Sequence, residues 1–97
     1  MQNYLDSAKV FSAFCDGTRL KVLELLKNGE KYAAVLLEKV SVGQSTLSHH
    51  MKILVESGIV SARKVGKRTY YSICERGRQY AISILKSLKS LTPPAVA

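Results

Sequence analysis

The segment QSTLSHHMK, residues 44–52, contains the only two histidines of the chain. Two imidazoles on a helix can bind one metal ion when they share a face, which requires a spacing of about three or four positions. His49 and His50 are adjacent, so their side chains point in different directions and do not converge on one ion. No metal site is therefore predicted at this pair.

The same segment, extended from Gln44 to about Ser57, is predicted to form a helix with two unlike faces. The apolar face carries Leu47, Met51, Leu54 and Val55. The polar face carries Ser45, His49, Lys52 and Glu56, with Ser48 at its flank. Hydroxyl, amide and imidazole groups on such a face can bond base edges and phosphates in a DNA groove, although an ordinary solvated surface is the alternative. His50 lies at the edge of the apolar face and is interpreted as a packed or hydrogen-bonded histidine.

The two cysteines, Cys15 and Cys74, are 59 positions apart (74 − 15). The first residues show no basic stretch followed by an apolar one, so we expect no signal peptide and a cytoplasmic protein with reduced thiols. Small buried side chains are the simpler interpretation of both cysteines. A redox or persulfide switch is the alternative, because thiol reactivity depends on an exposure that the sequence does not reveal.

Two amphipathic helices are predicted before residue 30. The first places four residues at helical spacing: Leu5, Ala8, Phe11 and Cys15. The second begins after an N-cap at Asp16 and ends at Asn28-Gly29. Its expected buried positions are Leu20, Leu23 and Leu26.

Two more helices are predicted, one before the segment that begins at Gln44 and one at the end of the chain. A short one is predicted at Tyr32–Val40, and it is followed by the turn SVG before Gln44. The last is predicted at about Arg76–Leu91, where Pro93-Pro94 prevents its continuation. A short helix, a turn and a second helix with a polar face form a helix-turn-helix arrangement.

The stretches IVSARKV and TYYSIC read as two strands around a basic tip that contains glycine. Four cations fall within six residues at this tip: Arg63, Lys64, Lys67 and Arg68. They could simply keep an edge strand soluble. A helix-turn-helix followed by a basic hairpin instead indicates a winged helix, in which the wing binds phosphates and the helix reads sequence. The predicted fold is mainly α with a small β-hairpin: five helices plus a two-stranded wing.

Composition and length agree with this prediction. The 97 residues indicate one domain, placed at residues 1–92, with a flexible tail at 93–97. The formal net charge of +8 favours an anionic partner such as double-stranded DNA. No apolar run approaches the ~18 residues of a membrane span, so no membrane partner is expected. The seven carboxylates are scattered without a nucleophile–base pair or phosphate loop, so neither an enzyme nor a bound cofactor is expected.

The last predicted helix has an apolar stripe: Ala81, Ile84, Leu85, Leu88 and Leu91. The stripe could dock on its own domain or pair with a second copy. Pairing is favoured because twofold homodimers are the commonest oligomers. Such a dimer would present two recognition helices to an inverted repeat.

Three blocks in this order, FSAFCDGTRLKVLELL, QSTLSHHMKILVESGIV and RKVGKRTYYSI, resemble the ArsR/SmtB family of bacterial winged-helix repressors. The resemblance extends from about Val10 to Ile73 and implies a homodimeric repressor whose first and last helices form the dimer interface. The implied interface residues are Leu5, Ala8, Ala81, Ile84, Leu85 and Leu88. The expected DNA contacts on the helix are Gln44, Ser45, Thr46, Ser48, His49 and Lys52. Those in the wing are Arg63, Lys64, Lys67, Arg68 and Tyr70.

The sequence departs from the family at its metal sites. Many relatives carry Cys-x-Cys at the start of the third helix, where this chain has Tyr32 and Ala34. Others use acidic and histidine pairs on the last helix, but no His, Cys, Asp or Glu occurs from Arg76 onward. We therefore expect a repressor that lacks both metal sites and whose effector, if any, is unknown. A winged-helix module that binds an acidic protein is the alternative.

Overall fold

The computed structural model describes residues 4–88. Five helices and three strands occur in this range: α1 (Tyr4–Ser12), α2 (Gly17–Leu26), β1 (Lys31–Tyr32), α3 (Ala33–Lys39), α4 (Gln44–Glu56), β2 (Val60–Val65), β3 (Arg68–Ile73) and α5 (Glu75–Ser87). The predicted winged helix-turn-helix fold is confirmed. None of the helices in residues 4–88 is long and apolar enough to cross a membrane.

The start of α2 is fixed by a side-chain cap. Asp16 has extended backbone angles, and its Oδ2 accepts hydrogen bonds from the backbone N–H groups of Thr18 (2.8 Å) and Arg19 (3.1 Å). These bonds satisfy donors that a helix leaves without internal partners, so the predicted N-cap is confirmed. The first helix ends at Ser12, which leaves Cys15 in the connection between α1 and α2 rather than in the helix.

The sheet has three antiparallel strands in the order β1-β3-β2, one more than the sequence predicted. The hairpin β2–β3 is closed by a two-residue loop between Val65 and Arg68, and its first residue, Gly66, has a φ of 62°. Loops of this length favour glycine at a positive-φ position. The added strand β1 pairs Tyr32 with Tyr70, so Tyr32 ends a strand and the third helix begins one residue later than predicted.

The core lies between the helices and one side of the sheet. Its buried members are Val10, Ala13, Val22, Leu26, Leu36, Leu47, Met51, Leu54, Ile59, Val60 and Ala81. The expected burial of Leu20 is wrong, because α2 turns Val22 and Leu26 inward and leaves Leu20 48% exposed. Val55 is likewise 36% exposed, since it lies beyond the edge of the buried face of α4.

The last helix packs against α1 and against the turn that follows α4. Ser7 Oγ lies 3.2 Å from the Tyr80 hydroxyl, which links α1 to α5. A Cβ built on Gly77 would overlap the carbonyl oxygen of Gly58, so only glycine allows this close approach. The helix begins at Glu75, one residue before its predicted start. The predicted continuation to Leu91 and the tail at 93–97 lie outside the described residues.

Candidate nucleic-acid interface

The exposed face of α4 carries the side chains that were predicted to contact DNA. Four buried residues, Leu47, His50, Met51 and Leu54, fix the rotation of the helix about its axis. All six predicted contact residues are consequently exposed: Gln44, Ser45, Thr46, Ser48, His49 and Lys52. Gly43 caps the helix without a side-chain hydrogen bond, so the first-turn amides can donate to an anion.

His50 anchors this helix from its buried side. Arg19 Nη1 lies 2.9 Å from His50 Nδ1, and because arginine can only donate, Nδ1 accepts this bond. Neutral His50 then carries its proton on Nε2, which lies 3.7 Å from Asp16 Oδ2. Arg19 also donates to the carbonyl oxygen of Ser12 at 3.0 Å. The interpretation of His50 as a packed and hydrogen-bonded residue is confirmed.

The capping interaction also sets the charge of this anchor. The backbone N–H of Arg19, followed by smaller contributions from the His50 ring and the backbone N–H of Thr18, holds the pKa of Asp16 below its ordinary value. The carboxylate is therefore ionised at neutral pH beside the buried imidazole. The contacts among Ser12, Asp16, Arg19 and His50 join the end of α1, the start of α2 and the middle of α4.

The four basic residues at the tip of the wing are exposed, but their surroundings differ. Arg63 forms two hydrogen bonds to Glu30, at 2.6 Å from Nη2 and 3.1 Å from Nε. Arg68 lies over the Tyr32 ring, with its guanidinium carbon 4.8 Å from the ring centroid. Among the described residues, neither Lys64 nor Lys67 forms an ion pair.

These interactions shift the ionisation of the paired groups. The side-chain hydrogen bonds from Arg63 lower the pKa of Glu30 below its ordinary value. A hydrogen bond to Tyr70 is the main reason that the pKa of Arg68 is raised. Both arginines and Glu30 are thus charged throughout the neutral range.

A cleft of about 480 Å³ lies between α4 and the wing. Gln44 and Ser48 border it from the helix, and Lys67, Arg68 and Thr69 border it from the wing. One edge of the polar face of the helix and part of the basic tip therefore border the same concave cleft. A surface of this kind can present hydrogen-bonding groups to base edges and cations to phosphates at the same time.

The two cysteines lie at separate connections. Cys15 is exposed, and its thiol donates to the carbonyl oxygen of Phe11 at 3.4 Å. Cys74 is half-buried at the start of α5, where hydrogen bonds, chiefly from the backbone N–H of Gly77, lower the pKa of its thiol. Both are free thiols. In residues 4–88, no three His, Cys, Asp or Glu side chains are grouped so that they could hold a metal ion.

The residues predicted for a dimer interface fall into two groups. Four are exposed: Leu5, Ala8, Leu85 and Leu88. Ala81 and Ile84 are each 7% exposed and are buried within their own chain. One side of the apolar stripe of α5 therefore docks on its own domain, whereas Leu85 and Leu88 on the other side are exposed. A groove of about 690 Å³ between α1, α2 and α5 borders Leu85.

Comparisons with known proteins place this geometry among transcription regulators. The model of the bacterial regulatory protein family arsR matches residues 16–62. An uncharacterised HTH-type transcriptional regulator of Methanocaldococcus jannaschii is 37% identical over 89 residues, which are 91% of this chain and 100% of that protein. The arsenical resistance operon repressor of Staphylococcus aureus is 39% identical over 71 residues, covering 73% of this chain and 68% of that protein.

A solved structure extends the similarity to the three-dimensional level. The solution structure of a homodimeric winged helix-turn-helix DNA-binding domain from Mycobacterium bovis, a possible ArsR-family regulator, has a TM-score of 0.69 and 29% identity. The superposition covers 97% of this chain and 90% of that one.

Proposed function

Because this chain belongs to the arsR family of bacterial regulatory proteins, we propose that it is a homodimeric transcriptional repressor that binds an inverted-repeat operator. The observation that carries the proposal is the cleft that Gln44 and Ser48 of α4 share with Lys67 and Arg68 of the wing. The net charge of +8 supports an anionic partner. A regulator of bacterial DNA would act in the cytoplasm, and no enzymatic step is part of the proposal.

The two parts of the surface have different tasks in this proposal. Ser48 and His49 approach base edges in the major groove, because they are exposed on a helix whose rotation the core fixes. Lys64 and Lys67 neutralise phosphates, since they are exposed cations without ion-pair partners among the described residues. Helix contacts therefore supply preference for the operator, and wing contacts supply affinity for any duplex.

A homodimer is supported by the uncovered apolar side chains of α1 and α5. Leu5 is 76% exposed and Leu85 is 57% exposed, so a second copy of the chain could bury apolar surface at both. The similar Mycobacterium bovis domain is homodimeric. A twofold axis would place two α4 helices on successive major-groove faces of an inverted repeat.

The family's Cys-x-Cys metal site has no counterpart in the proposed repressor. Tyr32, at one of the two positions, packs its ring against Tyr70 with centroids 5.6 Å apart, and Ala34 occupies the other. Neither side chain offers a ligand for a soft metal ion. We therefore propose that its effector, if it has one, acts elsewhere.

A thiol-responsive form of the same function is favoured by one observation, the lowered pKa of Cys74. A larger thiolate fraction makes a cysteine more reactive towards oxidants. In this form, Cys74→Ser and Cys15→Ser proteins would keep their operator under oxidants that release the wild-type protein. Equal release of all three proteins would rule it out.

The proposal is tested by selecting bound duplexes from a random DNA library with the reduced protein at physiological salt. An inverted repeat is the expected result, and its half-site spacing would measure the separation of the recognition helices. If the protein binds all duplexes alike, the proposal that it recognises an operator is wrong. If it binds no duplex, the alternative hypothesis, a winged-helix module that binds an acidic protein, is favoured.

The division of tasks is tested on the selected operator. Ser48→Ala and His49→Ala should weaken binding to the operator more than binding to random DNA. Lys67→Ala should weaken both equally and lower the slope of log Kd against log salt by about 1.8, because the dimer loses one phosphate contact of about 0.9 from each of its two wings. Lys86→Ala, which removes an exposed cation of α5, is the matched control and should change neither quantity. Equal losses on both duplexes for all of the helix and wing variants would contradict the division.

A further inference from the structure

Five side chains form a connected cluster on the sheet, which we name the wing brace: Glu30, Tyr32, Arg63, Arg68 and Tyr70. We propose that the wing brace sets the orientation of the wing relative to the helix-turn-helix and that Arg63 is a positioning residue within it, not a phosphate ligand. The inference rests on the proposed DNA-binding function and revises the role that the sequence suggested for Arg63.

The register of the strands brings the centre of the brace together. Tyr70 on β3 lies directly opposite Tyr32 on β1 and directly opposite Arg63 on β2. Directly opposed residues project from the same face of a sheet, so these three side chains form one row across all three strands. The two tyrosine rings are 5.6 Å apart and tilted by 49°, a favourable arrangement for an aromatic pair.

Arg63 connects the two outer strands across the middle one. Its guanidinium carbon lies 4.9 Å from the centroid of the Tyr70 ring. From there it reaches both carboxylate oxygens of Glu30, the residue that precedes β1. A guanidinium matched to a carboxylate through two hydrogen bonds has a fixed orientation as well as a fixed position. A phosphate could take Nε and Nη2 of Arg63 only by displacing Glu30.

The other end of the brace lies beside the recognition helix. Arg68 stacks on Tyr32, and both residues border the cleft between α4 and the wing. Tyr32 is followed directly by the first residue of α3. The brace thus transmits the position of the helix-turn-helix to the wing, and it presents Arg68 at the cleft.

Strand pairing alone holds β1 weakly against the hairpin. The strand β1 has only two residues and pairs with β3 at only two positions. Five of the six residues of β2 are exposed, whereas five of the six residues of β3 are half-buried, so the core holds the hairpin mainly through β3. The brace adds the side-chain contacts that cross from β2 over β3 to β1.

The sharpest test is Glu30→Gln, because the two roles of Arg63 predict opposite signs. The substitution raises the net charge from +8 to +9 (8 + 1), so simple electrostatics predicts tighter binding to DNA. If Glu30 holds Arg63 in the brace, the wing loses its orientation and binding weakens. We expect a rise in Kd on the order of fivefold, the upper range for an exposed ion pair. Tighter binding would overturn the proposal.

The salt dependence of DNA binding is a second, independent test of whether Arg63 contacts phosphates. Arg63→Gln and Lys67→Gln remove the same charge from the wing, and we expect both to weaken binding. Only Lys67→Gln should lower the slope of log Kd against log salt, by about 1.8 for the two wings of the dimer, because, of these two residues, only Lys67 would release counterions from the duplex. An equal fall in slope for Arg63→Gln would make it a phosphate ligand and refute the positioning role.

A readout without DNA separates this inference from the proposed function. In the DNA-free protein, Glu30→Gln and Arg63→Gln should speed hydrogen exchange of the β2 and β3 amides, whereas Lys67→Gln should not. If no variant binds DNA but exchange changes as expected, the function is wrong and the brace stands. Unchanged exchange in Glu30→Gln and Arg63→Gln would show that the brace does not order the wing.

Discussion

The recognition helix and the wing belong to one surface, but different forces hold them. Helix α4 is fixed by apolar side chains in the core and by the half-buried link from His50 to Arg19. The wing contacts the core on one side through β3, and on its other side it is held by exposed groups, above all the two hydrogen bonds between Glu30 and Arg63. Burial in the core contributes much more free energy than exposed ion pairs do. We therefore expect the helix proposed to read sequence to depend on the stability of the domain, and the wing tip proposed to bind phosphates to be displaceable without unfolding it.

This difference has a consequence for regulation. A change at α1 would reach α4 through Arg19, which contacts the carbonyl oxygen of Ser12 at the end of α1 and the ring of His50 on α4. Salt or acid would instead act first on the wing, because exposed ion pairs are screened and titrated. The two parts of the surface should thus respond to different perturbations, which the following experiments examine.

The largest effect is expected from Leu54→Ala, since Leu54 is fully buried beneath the recognition helix. The lost contacts and the remaining cavity should lower the free energy of unfolding by about 2–5 kcal/mol. Val55→Ala is the matched control on the neighbouring, 36% exposed position and should cost less than about 1 kcal/mol. Urea unfolding at equal protein concentration measures both. Similar losses at the two positions would show that the core does not fix α4 as described.

A smaller effect is expected from Arg19→Met, which preserves bulk but removes the donors to His50 and Ser12. Leaving both acceptors without a partner should lower the free energy of unfolding by about 1–2 kcal/mol. Because the link is partly buried, the loss should be the same at about 0.1 M and about 0.5 M NaCl. Lys21→Met removes an exposed cation from the same helix and serves as the control. A loss confined to low salt would place Arg19 with the surface ion pairs and remove the contrast between the two regions.

The same contrast decides what the sequence could predict. The N-cap at Asp16 and the polar face of α4 follow from neighbouring residues, and both were predicted. The hairpin was also visible, because each strand and its turn are contiguous in the chain. Local patterns of this kind specify where an element begins and which face it buries.

The contacts that hold these elements together were not predicted. Glu30 and Arg63 are 33 positions apart, and Arg19 and His50 are 31 apart, so no local spacing connects them. The strand β1 is too short to show any periodicity. The one available signal was the presence of basic residues and Tyr70 in the predicted wing. The basic residues were interpreted as DNA contacts or as charges that keep an edge strand soluble, and not as partners of Glu30 or Tyr32. Leu20 was misassigned because the spacing of leucines outweighed the position of Val22.

The smallest effect, and the most specific, is expected from acid. The pKa of Glu30 is lowered from its ordinary value of 4.5 by the hydrogen bonds of Arg63, so the pair orders the wing above pH 4.5 and is lost as the pH falls through the lowered pKa. Glu75 has the same partner type within one helical turn, and Arg78 lowers its pKa to about 2. In an NMR titration, the amide signals of β2 and β3 should therefore shift with the midpoint of the Glu30 carboxyl signal. Only the amide signals of the first turn of α5 should shift with the midpoint of the Glu75 carboxyl signal.

Two substitutions make this titration decisive. Arg63→Gln should return the pKa of Glu30 towards 4.5 and leave Glu75 unchanged, because it removes the partner of Glu30 alone. Arg78→Gln should raise the pKa of Glu75 and leave the pKa of Glu30 unchanged. If the midpoint of Glu30 does not move in Arg63→Gln, the ion pair is not formed in solution. The wing would then be held by strand pairing alone, and acid would no longer distinguish it from the recognition helix.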